Sequence, residues 1–206
     1  MPEDPGEALL VLTAAMAEEG ASLVERVLHP QPGAAERAFR QWDHYPSGDA
    51  IDAVSGARWF YHAHPPEDRG EEEHGHFHLF LPPEPFVGIE PLATPAKEDA
   101  AQVVHVAALT FDRGGLPCEW LATAHRVTMD RMMPGAAIAE RLDHLVLDQA
   151  GKNEHLHPVG RWLTLAAQAN RAQLTELLRQ RDEALAAVPE GEKAPEILSR
   201  IPFTID

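Results

Sequence analysis

The sequence predicts an α+β fold: an antiparallel sheet of about four to five strands, with N- and C-terminal helices packed on one face. Three observations predict it. Apolar residues recur at helical spacing near both ends of the chain. The middle alternates with period two. Prolines, glycines and acidic residues punctuate the joins. At 206 residues and 44% hydrophobic, the chain can bury a core as a single domain.

Leu9, Leu12, Met16, Leu23 and Val27 mark a helix over 6–28, with Gly20 as its weak point. A short helix over 34–43, carrying Phe39 and Trp42, completes an N-terminal helical segment at 1–45. The stretch "HYPSGDAIDAVSGA" is rich in turn residues and reads as irregular. The sheet is expected within 56–127. Its first strand is "RWFYHAH" and its second "HGHFHLFL", joined as a hairpin through the polar loop "PPEDRGEE". A long proline-rich loop follows at 82–99. "AQVVHVAALTF" is then a strand, "DRGG" a tight turn and "LPCEWLATAHRVT" the returning strand. C-terminal helices are expected over 136–188: one at 136–149, and a long one at 157–188 with Pro158 in its first turn. Residues 189–206 form a tail in which "IPFTID" can add an edge strand.

The formal charge is −16, from 17 basic and 33 acidic residues. Without clustered Lys and Arg, nucleic acid and an anionic membrane surface are excluded as partners. Cys118 is the only cysteine, which rules out an intrachain disulfide and a thiolate metal cluster. Acidic Glu3, Asp4 and Glu7 flank the first apolar run, the reverse of a secretory signal, and the run is too short to span a bilayer. A cytoplasmic protein is expected, with a small-molecule substrate as its partner and its oligomeric state open.

The chemistry concentrates in residues 62–78, where His62, His64, His74, His76 and His78 fall within seventeen positions. Strand side chains alternate faces, so His74, His76 and His78 share one face, and His62 and His64 another. Trp59, Tyr61, Phe77, Leu79 and Leu81 fall on the opposite, core-facing side. The two histidine sets meet only in an even-to-even register, with His62 opposite His76. A one-residue slip separates them. In that register, directly opposed Cβ atoms lie about 4.5–5.5 Å apart, close enough for imidazoles to converge on one ion. All five are candidate metal ligands, and two metals are conceivable. Imidazole suits Zn, Fe, Cu and Ni alike, so the sequence selects a divalent transition metal without naming it.

Of Glu71, Glu72 and Glu73, Glu73 is favoured as the residue that orients an imidazole or transfers a proton. At least two of the three belong to a solvated loop. His105 reads as a core histidine that could serve as a ligand if its strand neighbours the hairpin. His125, and His155 and His157 before the long helix, have blander readings, as do Met129, Met132 and Met133, which suit packing. The leading function is a small-molecule metalloenzyme, such as a metal-dependent hydrolase or oxygenase. The alternatives are a metal store, carrier or sensor, or a haem binder with one of these histidines as axial ligand.

Three resemblances attach to these residues. "HGHFHLF" resembles the signature of histidine triad nucleotide hydrolases and transferases, which implies that His76 is a nucleophile toward phosphate. Gly75 stands where that signature has a bulky apolar residue. "GARWFYHAHPPE" looks like the first cupin motif, with a shorter spacing to Glu67. The whole pattern "HYPSGD…ARWFYHAH…EHGHFHLF" is similar to an uncharacterised bacterial family of unknown function, a resemblance that brings no activity with it.

Overall fold

A computed structural model describes residues 4–29, 39–95 and 102–205. Its centre is a six-stranded antiparallel sheet of β1 (Tyr45–Ile51), β2 (Arg58–His62), β3 (Glu73–Leu81), β4 (Val104–Asp112), β5 (Pro117–Thr123) and β6 (Ile197–Pro202). The spatial order is β1-β2-β3-β4-β5-β6. The α+β class therefore stands, and the strand count exceeds the four to five expected.

Both edges account for the difference. The segment expected to be irregular contains β1, which pairs with β2 only at Tyr45↔Tyr61, Ala50↔Trp59 and Ile51↔Arg58, with a bulge between. Gly48 and Asp49 both have positive φ there. The turn signals were genuine, but an edge strand absorbs them as a bulge. At the other edge the tail does supply a strand, β6, beginning at Ile197 and paired through Trp120↔Ile201 and Leu121↔Arg200.

The helices are α1 (Pro5–Glu18), α2 (Leu23–Leu28), α3 (His125–Thr128), α4 (Gly135–Ala139), α5 (His157–Ala169) and α6 (Arg171–Ala186). The helix expected over 6–28 breaks near Gly20, whose φ is +74°. Ser22 then restarts it with a capping box: its hydroxyl accepts from the Glu25 amide, and Glu25 Oε2 accepts from the Ser22 amide. Of the helix expected over 34–43, residues 34–38 lie outside the described residues. Residues 39–43 are not helical, and Trp42 has φ +68°. The helix expected over 136–149 stops after α4 and continues as a 3-10 turn at Leu142–His144.

The helix expected over 157–188 is two helices meeting at Asn170. This residue is fully buried, and its Oδ1 accepts from the indole Nε1 of Trp120 at 3.1 Å. A buried indole N–H needs an acceptor. Turning the chain at Asn170 supplies one.

One core joins the helices to one face of the sheet. It packs Trp59, Tyr61, Phe77, Leu79, Leu109, Phe111 and Trp120 against Leu9, Trp162, Leu163, Leu174 and Leu177. Phe111 meets Trp162 at 5.9 Å between ring centroids. A separate small cluster of Phe60, Phe80 and Val103 lies on the other face. That second face is where the histidines gather.

Candidate metal centre

The hairpin of β2 and β3 has the even-to-even register, from Arg58↔Phe80 through Phe60↔His78 to His62↔His76. This pairing follows from the apolar pattern. Only this register puts Trp59, Tyr61, Phe77 and Leu79 together in the core, and each of them is fully buried. Burial of one face thereby fixes the imidazoles on the other.

His62, His76 and His78 each offer one ring nitrogen such that all three lie within 4.8 Å of one another. His62 Nε2 is 2.8 Å from His76 Nε2 and 3.2 Å from His64 Nε2. Two imidazoles bound to one ion at about 2.0–2.1 Å have their nitrogens about 2.9–3.4 Å apart, depending on geometry. The observed separations are close to that range.

The hydrogen count around these nitrogens is informative. Glu73 Oε1 is 2.8 Å from His76 Nδ1 and accepts its hydrogen, which leaves the neutral ring a lone pair on Nε2. His62 Nε2 carries at most one hydrogen. With neutral rings, at most one of its two close contacts is a well-directed hydrogen bond. The other sets lone pairs or hydrogens against each other, an arrangement that a cation relieves.

Burial favours the neutral form of His62, His64, His78 and His105. Burial pushes His62 down to about 2, with further lowering from His76, His64 and His44. His78 falls well below its ordinary value for the same first reason, followed by His76 and His105. Burial lowers His105 to about 3, helped by the Arg181 guanidinium. Burial and His76 lower His64. Burial alone would raise Glu73, but the hydrogen bond and charge of His76, the Gly70 hydrogen bond and the charge of His64 together outweigh it and hold the carboxylate below its usual range. Neutral imidazole is the form that binds a metal.

His74 is not part of this group. The β3–β4 pairing shifts by one residue between Glu73↔Asp112 and Gly75↔Phe111. This bulge reverses parity at the start of β3. His74 turns toward the core side, where the Tyr61 hydroxyl donates to its Nδ1 at 2.5 Å and Phe39 lies 5.9 Å from its ring. Glu73 takes the place on the histidine face that simple alternation gave to His74. A Cβ on Gly75 would lie 2.5 Å from both the Tyr61 hydroxyl and the His62 carbonyl oxygen. Only glycine lets Tyr61 pass over to His74. Glu71 and Glu72 are exposed, as a solvated loop requires.

The sheet also recruits residues that local patterning does not reveal. His105 is on β4, the neighbour of the hairpin, and its Nε2 is 3.0 Å from His78 Nδ1. Its backbone amide donates to Asp130 Oδ2. His44, which the sequence reading missed, stacks on Phe60 at 3.6 Å and 6°. Trp42 stacks on His64 at 4.2 Å. Nothing local signals these two contacts, because they depend on β1 folding back beside β2. His125, His155 and His157 do not join the group. The His155 amide instead donates to Asn153, in a local turn.

Two cavities flank the histidine row. The larger, ≈ 370 Å³, is lined by His64, Glu73, His76 and His78 together with Leu121, Thr123 and Val127. The smaller, ≈ 190 Å³, is lined by His44, Arg58, Phe60, His62, His78 and Phe80, among others. His78 and Val127 face both.

Fold and site together define an α+β protein whose buried histidine group, on one face of an antiparallel sheet, is able to hold a metal ion. Residues 3–201 match a family described as "Domain of unknown function (DUF6969)", and the chain belongs to that family. No curated protein and no solved structure matches it. Among the described residues, no helix is long and apolar enough to cross a membrane.

Proposed function

We propose that this chain binds a divalent transition metal through His62, His76 and His78, and that it uses the metal as a small-molecule metalloenzyme. One observation carries the reading: three imidazoles, half-buried His62 and buried His76 and His78, whose nitrogens lie within 4.8 Å of one another beside two cavities. His64 is the fourth candidate ligand, through its contact with His62. Glu73 orients His76 and, facing the larger cavity, is the group that exchanges a proton with a bound water or substrate. Three protein ligands leave coordination positions open. A metal held there would supply Lewis-acid, water-activating or dioxygen-binding chemistry, as in a hydrolase or oxygenase.

Two cavities reaching the histidines favour an enzyme over a metal store, which would saturate its ion. The larger cavity also has Glu67, Asp68, Glu73 and Glu196 in its walls. These four acids outnumber the two arginines of the same cavity, Arg69 and Arg200, a balance that weighs against a polyphosphate and so against nucleotidyl transfer through His76. The test is elemental analysis of protein purified without a His tag, beside the His62→Ala/His76→Ala variant. About one metal per chain, lost in the variant, is expected. Substoichiometric metal unchanged by the double substitution would end this reading.

A further inference from the structure

Arg58 lies at the smaller cavity. In a chain of net charge −16, acceptors for arginine abound. Eight other arginines among the described residues each meet a carboxylate. Among the described residues Arg58 meets no carboxylate; its Nε is buried without a hydrogen-bond partner, as are those of Arg26 and Arg126. It shares the histidine face with Phe60 and His62, by strand parity on β2. Together with His44, His62 and His78 it lines the ≈ 190 Å³ cavity. Asp49, the acid of that cavity, is held by His44, whose Nδ1 is 3.0 Å from Asp49 Oδ1.

A half-buried guanidinium that meets no carboxylate and lines a partly apolar cavity offers its terminal N–H groups to a guest there. The acceptor that fits a guanidinium edge is a carboxylate, held by two parallel charge-assisted hydrogen bonds. The rest of the cavity sets the size and character of that ligand. Phe60, Phe80 and Val103 form a small apolar cluster, and all three line the wall. The volume lies below the ~300 Å³ at which drug-sized sites begin. His62 and His78, two of the three candidate metal ligands, complete it.

We propose that this cavity is the substrate site: it takes a small organic carboxylate, with the carboxylate on Arg58, the carbon chain against Phe80 and Val103, and the far end at the histidines. As a substrate assignment this rests on the metal reading above. The anion site itself does not need the metal.

Calorimetric titration separates the two. Acetate, butyrate and 2-oxobutyrate, with butyramide and inorganic phosphate as comparators, are titrated into metal-loaded and metal-free protein. The chains are wild type, Arg58→Gln, Arg58→Lys and Arg200→Gln, the last altering an arginine of the other cavity. The expected result is carboxylate binding in wild type and in Arg200→Gln. Binding should be about 10- to 100-fold weaker in Arg58→Gln, as for loss of a charged hydrogen-bond pair. Arg58→Lys should fall between, and it carries the comparison if the glutamine variant does not fold. Butyramide should not bind.

Arg58-dependent binding to a protein that takes up no metal would keep the anion site and overturn the metal reading. Equal binding in wild type and both Arg58 variants would overturn the proposal. So would phosphate binding in place of the carboxylates, or no carboxylate binding at millimolar concentration in either form of the protein.

Discussion

At the middle of β3 the two faces of this sheet are nearly equally buried and chemically opposite. Phe77 is fully buried, and its neighbour His78 is 2% exposed. On the helix side, burial is matched by apolar partners, and the side chains act by filling space. On the histidine side, burial removes water from imidazoles and leaves their nitrogens to one another. Beyond the bulge, β3 thus carries stability on Phe77, Leu79 and Leu81 and chemistry on His76 and His78. Depth of burial alone does not tell a core from a site. What distinguishes them is the chemistry of the side chains brought together, apolar rings on one face and imidazoles within reach of one another on the other.

The sharpest way to break the comparison is at β3. Phe77→Ala is expected to cost about 3–5 kcal/mol in urea denaturation, through lost burial and a residual cavity. His76→Ala, one residue away, should cost less than about 2 kcal/mol and abolish metal uptake. Equal losses of stability at both positions would remove the distinction between the faces.

Next in size is Asp52. Its carboxylate accepts backbone hydrogens from Val54 and Ser55 on one oxygen and from Gln149 on the other, tying the sheet edge to the segment before α5. Asp52→Asn is expected to cost about 1.5–3 kcal/mol at pH 7, as for hydrogen bonds to a charged group. Burial would raise this carboxyl, but the amides of Ser55, Gln149 and Val54 outweigh it and hold it below its ordinary value. The sign follows: the charged form is favoured in the fold, so its contribution is present above the unfolded value of about 3.9 and lost as pH falls below it. Wild type and variant should therefore converge in stability in acid. A gap that persists at pH 2 would remove charge as the cause.

Gly75→Ala tests the bulge that separates His74 from Glu73. A side chain there meets the His62 carbonyl and Tyr61 at 2.5 Å. A cost of about 1–3 kcal/mol from overpacking is expected, together with weaker metal binding, because the loaded hairpin is the one that would shift. Wild-type metal affinity in a destabilised Gly75→Ala would show the bulge to be irrelevant to the site. The smallest effect on stability, under about 0.5 kcal/mol, is expected for Glu73→Gln. There the change should appear in metal affinity, about 10- to 100-fold weaker by competition with a chelator. Unchanged affinity would remove Glu73 from its orienting role.

Much of this arrangement was legible in the residues. The parity of Trp59, Tyr61, Phe77 and Leu79 dictates the hairpin register, and the register brings His62 to His76. Period-two alternation identifies β2 through β5, because a buried face leaves its mark on every second residue. What stayed hidden is what alternation cannot encode. A single inserted residue at the start of β3 exchanges His74 for Glu73, and Gly75 was its one visible sign, since glycine inside a strand marks bulges and close approaches. Asn170 ends a helix because Trp120, fifty residues away, needs an acceptor. Likewise His44 and Trp42 reach the site only because β1 pairs beside β2, through a strand whose composition argues for turns.

The central claim is that the buried imidazoles of this sheet share one metal ion. X-ray absorption at the metal edge of protein loaded with Zn²⁺ or Fe²⁺ tests it most directly. The account predicts at least three nitrogen scatterers at about 2.0–2.1 Å, with the multiple-scattering pattern of imidazole rings, and loss of that pattern in the His62→Ala/His76→Ala variant. A shell of oxygen atoms alone, or an imidazole pattern that survives the double substitution, would contradict it.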